Sequence, residues 1–311
     1  MYRAAANNHY ISTFTIAFIV AMTCLAGTCR AAVETTDTEV LRNRARQEAQ
    51  DREKQLKAPS VNLQGEVPKV GPLQLPAETP CFTVNTFVLE VPSQLSPAAH
   101  RYGASASLFD PFHFAQKFLE QYSGQCIGRE GINLLVKGVT AKILERGYST
   151  TRVGIPEQDM LSGTLKLTLV PGIIHELRFA DPKTAGTWKN AFPTSAGKLL
   201  NLRDLEQGLE QMKRTTSQDV DMQIVPAEGL GESDVVISVK RSKPWKATAS
   251  LDDSGAKATG KTQAGLQVGW DNLLGINDLL NIGTSTDADR NNYMRGTQGN
   301  NISYSIPFGY C

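Results

Sequence analysis

Four runs, PWKATASLDDSG (244–255), TQAGLQVGWDN (262–272), LLNIGTST (279–286) and NISYSIPFGY (301–310), decide how the rest of the chain is read. Apolar positions alternate with polar ones in each. Trp245, Ala247, Ala249 and Leu251 are followed by Ala264, Leu266, Val268 and Trp270, then Leu280, Ile282 and Thr284, then Ile302, Tyr304, Ile306 and Phe308. A period of two gives each segment one greasy and one polar face, the signature of a β-strand. Gln, Asn, Ser and Asp fill the polar positions almost without exception. That suits strands with lipid on one side and water on the other, with Trp245, Trp270 and Tyr304 at interfacial positions. An antiparallel sheet with one solvated face has the same alternation, so these runs alone leave both readings open.

The chain has 311 residues, room for two or three domains, and a net charge of +1, which argues against nucleic acid as a partner. With 41% hydrophobic and 7% aromatic residues it is no helical membrane protein. The one long apolar run, 11–26, follows Arg3 and ends in small residues. It is short for a spanning helix and reads as the core of a secretory signal within 1–31, cleaved after Ala26 or Ala31; an uncleaved anchor is the alternative. Export places Cys81 and Cys126 in an oxidising compartment. Paired, they close a 45-residue loop, worth up to about 4 kcal/mol; two free buried thiols are the alternative. His9, His100, His113 and His175 are scattered, and no cysteine spacing suits zinc, so no metal or other cofactor is expected.

Segment 32–57 carries six acids and six bases, with Thr36 and Glu39 spaced as a capping box. It predicts a helix polar all round, fit for a wet cavity or for a solvated arm. Residues 58–80, with Pro59, Pro68, Pro72, Pro76 and Pro80, read as an extended linker. A strand is predicted over 81–91, then a helix opened by Asp110 and Pro111 and bearing Phe112, Phe118 and Tyr122 on a core face. A second helix bears Ile132, Leu135, Val139 and Ile143 and stops at Gly147, and two strands follow. The same β-α-α-β-β order then repeats. Its parts are a strand over 173–179, a short helix around 188–192, a helix capped by Asn201, and strands over 220–225 and 235–239. Such sheets leave edges that can take an extended chain by β-augmentation.

This order resembles the outer-membrane transporters of two-partner secretion, the haemolysin-activator and filamentous-haemagglutinin transporters and the contact-dependent-inhibition exporters. The likeness is carried by PCFTV (80–84), ERGYSTTRVGIPEQDMLSGTLKLTLVPG (145–172), LNLRDLEQGLEQMKR (200–214), SDVVISV (233–239), LDDSG (251–255) and SYSIPFGY (303–310). It implies an α+β chain with added membrane β structure. Residues 1–31 are then a signal, 32–57 a plug helix, 58–80 a linker, 81–171 and 172–242 two periplasmic POTRA domains, and 243–311 the first four or so strands of a β-barrel. Implied partners are an unfolded exoprotein (adhesin, haemolysin or contact-dependent-inhibition toxin), outer-membrane lipid and the outer-membrane assembly machinery. Client-contacting residues are not identified. Because a bacterial barrel needs at least eight strands, the 311 residues by themselves are expected not to close a pore, and a C-terminally truncated transporter is the expectation.

No catalytic constellation emerges. Asp252 and Asp253 are neighbours on an alternating strand and point to opposite faces. His175-Glu176 lacks the second histidine of a zinc protease helix, and Gly229-Leu230-Gly231 lacks the context of a nucleotide loop. No enzyme is expected. A non-transporting periplasmic scaffold and a relative of the outer-membrane assembly factors are the other readings.

Overall fold

The structure is a computed structural model that describes residues 63, 71–103, 109–253, 255, 261–288 and 298–310. The expected signal, the plug helix and most of the linker lie outside the described residues. The chain order begins β1 (Phe82–Val84), β2 (Thr86–Glu90), α1 (His113–Glu120), β3 (Gln125–Ile127), α2 (Arg129–Glu145), β4 (Arg152–Gly154) and β5 (Thr164–Val170). It continues with β6 (Ile173–Phe179), α3 (Leu202–Lys213), β7 (Gln218–Pro226) and β8 (Glu232–Arg241), and ends with β9 (Trp245–Asp252), β10 (Gln263–Asp271), β11 (Leu279–Asp287) and β12 (Gln298–Ser305).

The first module is a sheet of order β2-β5-β4 beneath α1 and α2. β2 and β5 run parallel because the helical crossover separates them, and β4 closes antiparallel on β5. The single strand expected over 81–91 is two. The amides of Asn85 and Thr86 both donate to the Gly163 carbonyl, at 2.9 and 3.2 Å, and the chain turns there. β1 is thereby left to pair with β3 while β2 enters the main sheet. Helix α1 starts later than Pro111: Asp110 accepts from the Phe112 amide at 2.9 Å in a turn ahead of the helix. Phe112, Phe118 and Tyr122 lie in the core with Leu119, Leu135, Val139, Leu165 and Leu167.

The disulfide Cys81–Cys126 ties the chain entering β1 to β3, with Cα atoms 5.4 Å apart. Residues 71–80, expected as part of a free linker, lie on this module. Leu73 and Leu75 are half-buried against its core, because the helices leave an apolar notch that the chain can fill.

The second module repeats the topology as β6-β8-β7, again with one parallel and one antiparallel pair. Asn201 caps α3 as expected, its side chain accepting from the Arg203 amide at 3.0 Å. The short helix expected over 188–192 is one turn, in which the amides of Ala191 and Phe192 donate to the Trp188 carbonyl. Pro193 follows that turn. The Phe192 ring lies against Gly208 of α3, where a Cβ would stand 2.3 Å from the ring, so one turn covers this part of the core. β9 to β12 form a separate antiparallel meander in sequence order.

Candidate functional site: the amphipathic sheet and its junction with the second module

The register of the meander converts the alternation of each strand into continuous rows. Trp245, Trp270, Leu280 and Tyr304 stand opposite one another across the four strands. The next row is Ala247, Val268, Ile282 and Ile302, and beyond it Ala249, Leu266 and Thr284 lead to Asn300. The intervening rows are polar: Lys246, Gly269, Asn281 and Ser303, then Thr248, Gln267, Gly283 and Asn301. A slip of one residue in any pair would scramble both faces, so the alternation and the turns specify this register.

In the two inner strands, β10 and β11, burial is inverted relative to a soluble sheet, while β9 is exposed on both faces. Leu251, Leu266, Ile282 and Ile302 are exposed, Ile302 to 74%, whereas Gln263, Gly283 and Asp287 of the polar face are buried. A water-soluble sheet would bury its apolar face. An apolar outer face with a polar concave face is the arrangement of a transmembrane barrel wall. The strands have eight or nine residues, close to the 9–11 that a tilted membrane strand needs. Among the described residues no helix is long and apolar enough to cross a membrane. At the end nearest the modules, the Lys243 ammonium lies 3.3 Å from the centroid of the Trp245 ring, a cation beside the aromatic row.

That end of the sheet is seated on the second module. Asp271 accepts from the Ser217 amide at 2.8 Å and the Thr216 hydroxyl at 3.1 Å. The turn between β10 and β11 carries Asn272 and Asn277, both at positive φ, and Gly275 at φ 77°. Buried Asp278 holds this turn by accepting from the Leu274 amide and from the Tyr304 hydroxyl at 3.1 Å. Asn277 donates to the Thr187 carbonyl at 2.7 Å, and Gln218 donates to the Asn277 side-chain oxygen at 3.1 Å. Gly186 and Gly275 meet backbone to backbone: a Cβ on Gly186 would stand 2.7 Å from the Gly275 carbonyl oxygen.

Asn190 reaches both chain segments at this end of the sheet. Its side-chain nitrogen donates to the carbonyls of Ile276 and Pro307, its side-chain oxygen accepts from Asn277, and its backbone carbonyl accepts from the Gly309 amide at 2.9 Å. Along α3, Arg214 donates to the Ser305 hydroxyl, and the Tyr310 hydroxyl donates to Asp204. Burial, then the Asp204 carboxylate, push the Tyr310 phenol up to about 12. Burial lowers the Arg214 guanidinium from its usual value.

The residues weighed from sequence do not assemble into a reactive centre. Asp252 stands in a polar row opposite Gln263, and Asp253 follows the strand. The Nδ1–H of His175 donates to the Asp234 carboxylate, 2.8 Å away, and that contact raises its pKa. Gly229 and Gly231 form the turn from β7 to β8. The edges are unequal: the amide of Ile174 on β6 donates to the Lys198 carbonyl and its carbonyl accepts from Gly197, so that edge is partly covered. Asn190 and Asn277 were not singled out in the sequence. The positive-φ asparagines flanking Gly275 were the available signal, but the partner segment lies about ninety residues away in the chain.

Comparison with known proteins agrees with this architecture. Residues 104–172 match the model of the ShlB-type POTRA domain, 173–226 that of a POTRA domain, and 231–311 that of the haemolysin secretion/activation protein ShlB/FhaC/HecB. The chain is 52% identical over 265 residues to the outer membrane transporter CdiB-2 of Burkholderia pseudomallei, covering 85% of this chain and 45% of that protein. It is 30% identical over 220 residues to the hemolysin transporter protein ShlB of Serratia marcescens, covering 70% of this chain and 38% of that one. The solved structure of CdiB from Acinetobacter baumannii superposes with a TM-score of 0.71 at 25% identity, over 90% of this chain and 52% of that chain. The chain thus spans less than half the length of the curated relatives it matches. Two tandem modules with the POTRA topology, leading into a sheet whose apolar face is exposed, follow the order of these three matches, although the first match begins after β2 and the third takes in β8, and the chain belongs to the ShlB/FhaC/HecB haemolysin secretion/activation family.

Proposed function

We propose that this chain supplies the periplasmic and first membrane-spanning part of an outer-membrane translocator, which takes an unfolded exoprotein at its POTRA modules and passes it outward through a β-barrel. The observation that carries this reading is the register of β9 to β12, which sets exposed apolar rows on one face and a polar surface on the other. The polar face lines the path and the apolar face meets lipid. The hydrogen-bonded junction supports the rest of the reading, because it holds the second module at the end of the sheet where a client would enter.

Transport of this kind needs no catalytic residue, and we assign none. The client is an adhesin, a haemolysin or a contact-dependent-inhibition toxin. The transporter is inserted by the outer-membrane assembly machinery, and the client's folding outside the cell supplies direction. The test is deletion of the gene in its host, with the partner exoprotein followed in the medium. Loss of the exoprotein from the medium, restored by the intact gene but not by one lacking residues 81–242, is the expected result. Undiminished secretion would overturn the reading.

A further inference from the structure

Residues 71–80, GPLQLPAETP, lie across the helical face of the first module as a bound peptide would. The Leu73 side chain enters a notch between α1 and α2, where a Cβ on Gly138 would stand 2.6 Å from Leu73 Cδ1 and 3.1 Å from the Phe118 ring. The Leu73 amide donates to the Tyr122 hydroxyl at 3.0 Å. Leu75, two residues on, packs against the same core. Glu78 then reaches the start of α2, accepting from the amides of Glu130 at 2.8 Å and Gly131 at 2.7 Å. The N-cap of that helix is Gly128, which has no side chain to satisfy them. A Cβ on Gly128 would lie 2.6 Å from the Glu78 carboxyl, and one on Gly131 3.2 Å from it. Three glycines therefore shape a cradle for a segment outside the module's β-α-α-β-β framework.

We propose that this cradle is a peptide-binding groove and that residues 73–78 are its resident, displaceable occupant. The ligand it takes is an extended segment with the pattern apolar-x-apolar-x-x-acid. The notch takes the first apolar side chain, the adjoining core the second, and the start of α2 the carboxylate, where two free amides and the helix dipole favour an anion.

Displacement is feasible because the occupant is shallow. Leu73, Leu75 and Glu78 are only half-buried, and Gln74, Pro76, Ala77, Thr79 and Pro80 face solvent. The disulfide at Cys81 keeps the occupant tethered when it leaves the groove. Its effective concentration stays high, so an incoming segment must compete with it. The groove stands on the geometry of the module alone. Naming unfolded segments of the exported client as its partner rests on the transport reading above.

The test uses the full chain in detergent and a fluorescent peptide GPLQLPAETP. A variant carrying Leu73→Gln, Leu75→Gln and Glu78→Gln should bind the peptide at least about tenfold more tightly than the unaltered chain. Replacing the peptide's glutamate by glutamine should weaken binding by about tenfold. A variant that keeps its disulfide and its cooperative melt yet binds no peptide overturns the proposal.

Amide exchange in the unaltered chain decides the matter where the variant does not fold. The amides of Leu73, Glu130 and Gly131 should exchange together, at least about a hundredfold faster than those of Leu135 and Val139. Exchange of all five only on global unfolding would make the segment a fixed part of the module and overturn the proposal. Peptide binding with undiminished secretion in the gene deletion would leave the groove standing and reject the client as its partner.

Discussion

Asn190 and Asn277 lie in different domains and are joined side chain to side chain at 3.2 Å, each also bonded to a carbonyl of the other's neighbourhood. Asn277 is buried in the turn between β10 and β11, and Asn190 stands in the single helical turn of the second module. Removing either leaves buried amide or carbonyl groups without a partner, at about 1–3 kcal/mol each. Asn190→Ala and Asn277→Ala should each lower the denaturation midpoint of the chain. The double variant should cost less than the sum of the two, with a coupling of about 1 kcal/mol in a double-mutant cycle.

Gly186→Ala tests the same junction by sterics. Gly186 has φ 87°, and its added Cβ would stand 2.7 Å from the Gly275 carbonyl oxygen. Neither backbone can give way without breaking the bond from the Thr187 amide to that carbonyl, 2.9 Å long. A loss of about 1–3 kcal/mol is expected. Faster proteolysis between the second module and β9, with both modules still folded, is the readout.

The two faces of the sheet make opposite predictions for the same substitution. Val268 belongs to an apolar row beside Ile282, while Gln267 belongs to a polar row beside Gly283. Val268→Arg, one apolar row in from the aromatic row at the interface, should cost about 1–2 kcal/mol of membrane stability, between the interfacial and mid-bilayer values for a lipid-facing charge, and should deplete the protein from the outer-membrane fraction. Gln267→Arg should leave its amount there unchanged. Equal depletion would show that the faces are assigned wrongly.

Loss of the disulfide should weaken the first module specifically. Cys126→Ser, or reduction, frees a 45-residue loop and should cost up to about 4 kcal/mol by chain entropy. The midpoint of the first module should fall on adding reductant, and that of the second should not move.

His175 gives a pH signature. Its hydrogen bond to Asp234 raises its pKa above the ordinary 6.5, and Glu232 and Glu176 act in the same direction. Arg178, which also faces Asp234 at 3.7 Å, is the nearby cation. A group raised on folding contributes stability below its unfolded pKa and loses it as pH climbs through the folded one. The contribution is therefore complete below about 6.5 and gone above the raised value. The imidazole NMR titration should lie above 6.5, and Asp234→Asn should bring it back toward that value.

Most of the framework was legible in the chain because it depends on short-range pattern. Period-two alternation marked β9 to β12, helical spacing marked α1, α2 and α3, and Asn201 announced its own cap. The break at Asn85 was not legible, since it depends on a carbonyl of Gly163 brought in by the fold. Nor was the packing of the single turn at 188–192, where the Phe192 ring lies against Gly208 of α3.

By itself the sequence determined which residues alternate, where the module repeats, and that Cys81 and Cys126 fall in the first module. Alternation alone could not choose between a lipid-facing and a solvated sheet, because it states only that two faces differ; the repeat, the linker and the polar helix elsewhere in the chain favoured the lipid-facing one. Tertiary structure added the burial of the two faces, with Gln263 and Asp287 buried on the polar face while Leu266 and Ile302 are exposed on the apolar one. It also made the junction, since a contact such as Asn190 to Asn277 depends on the docking of two domains and leaves no periodicity in the chain.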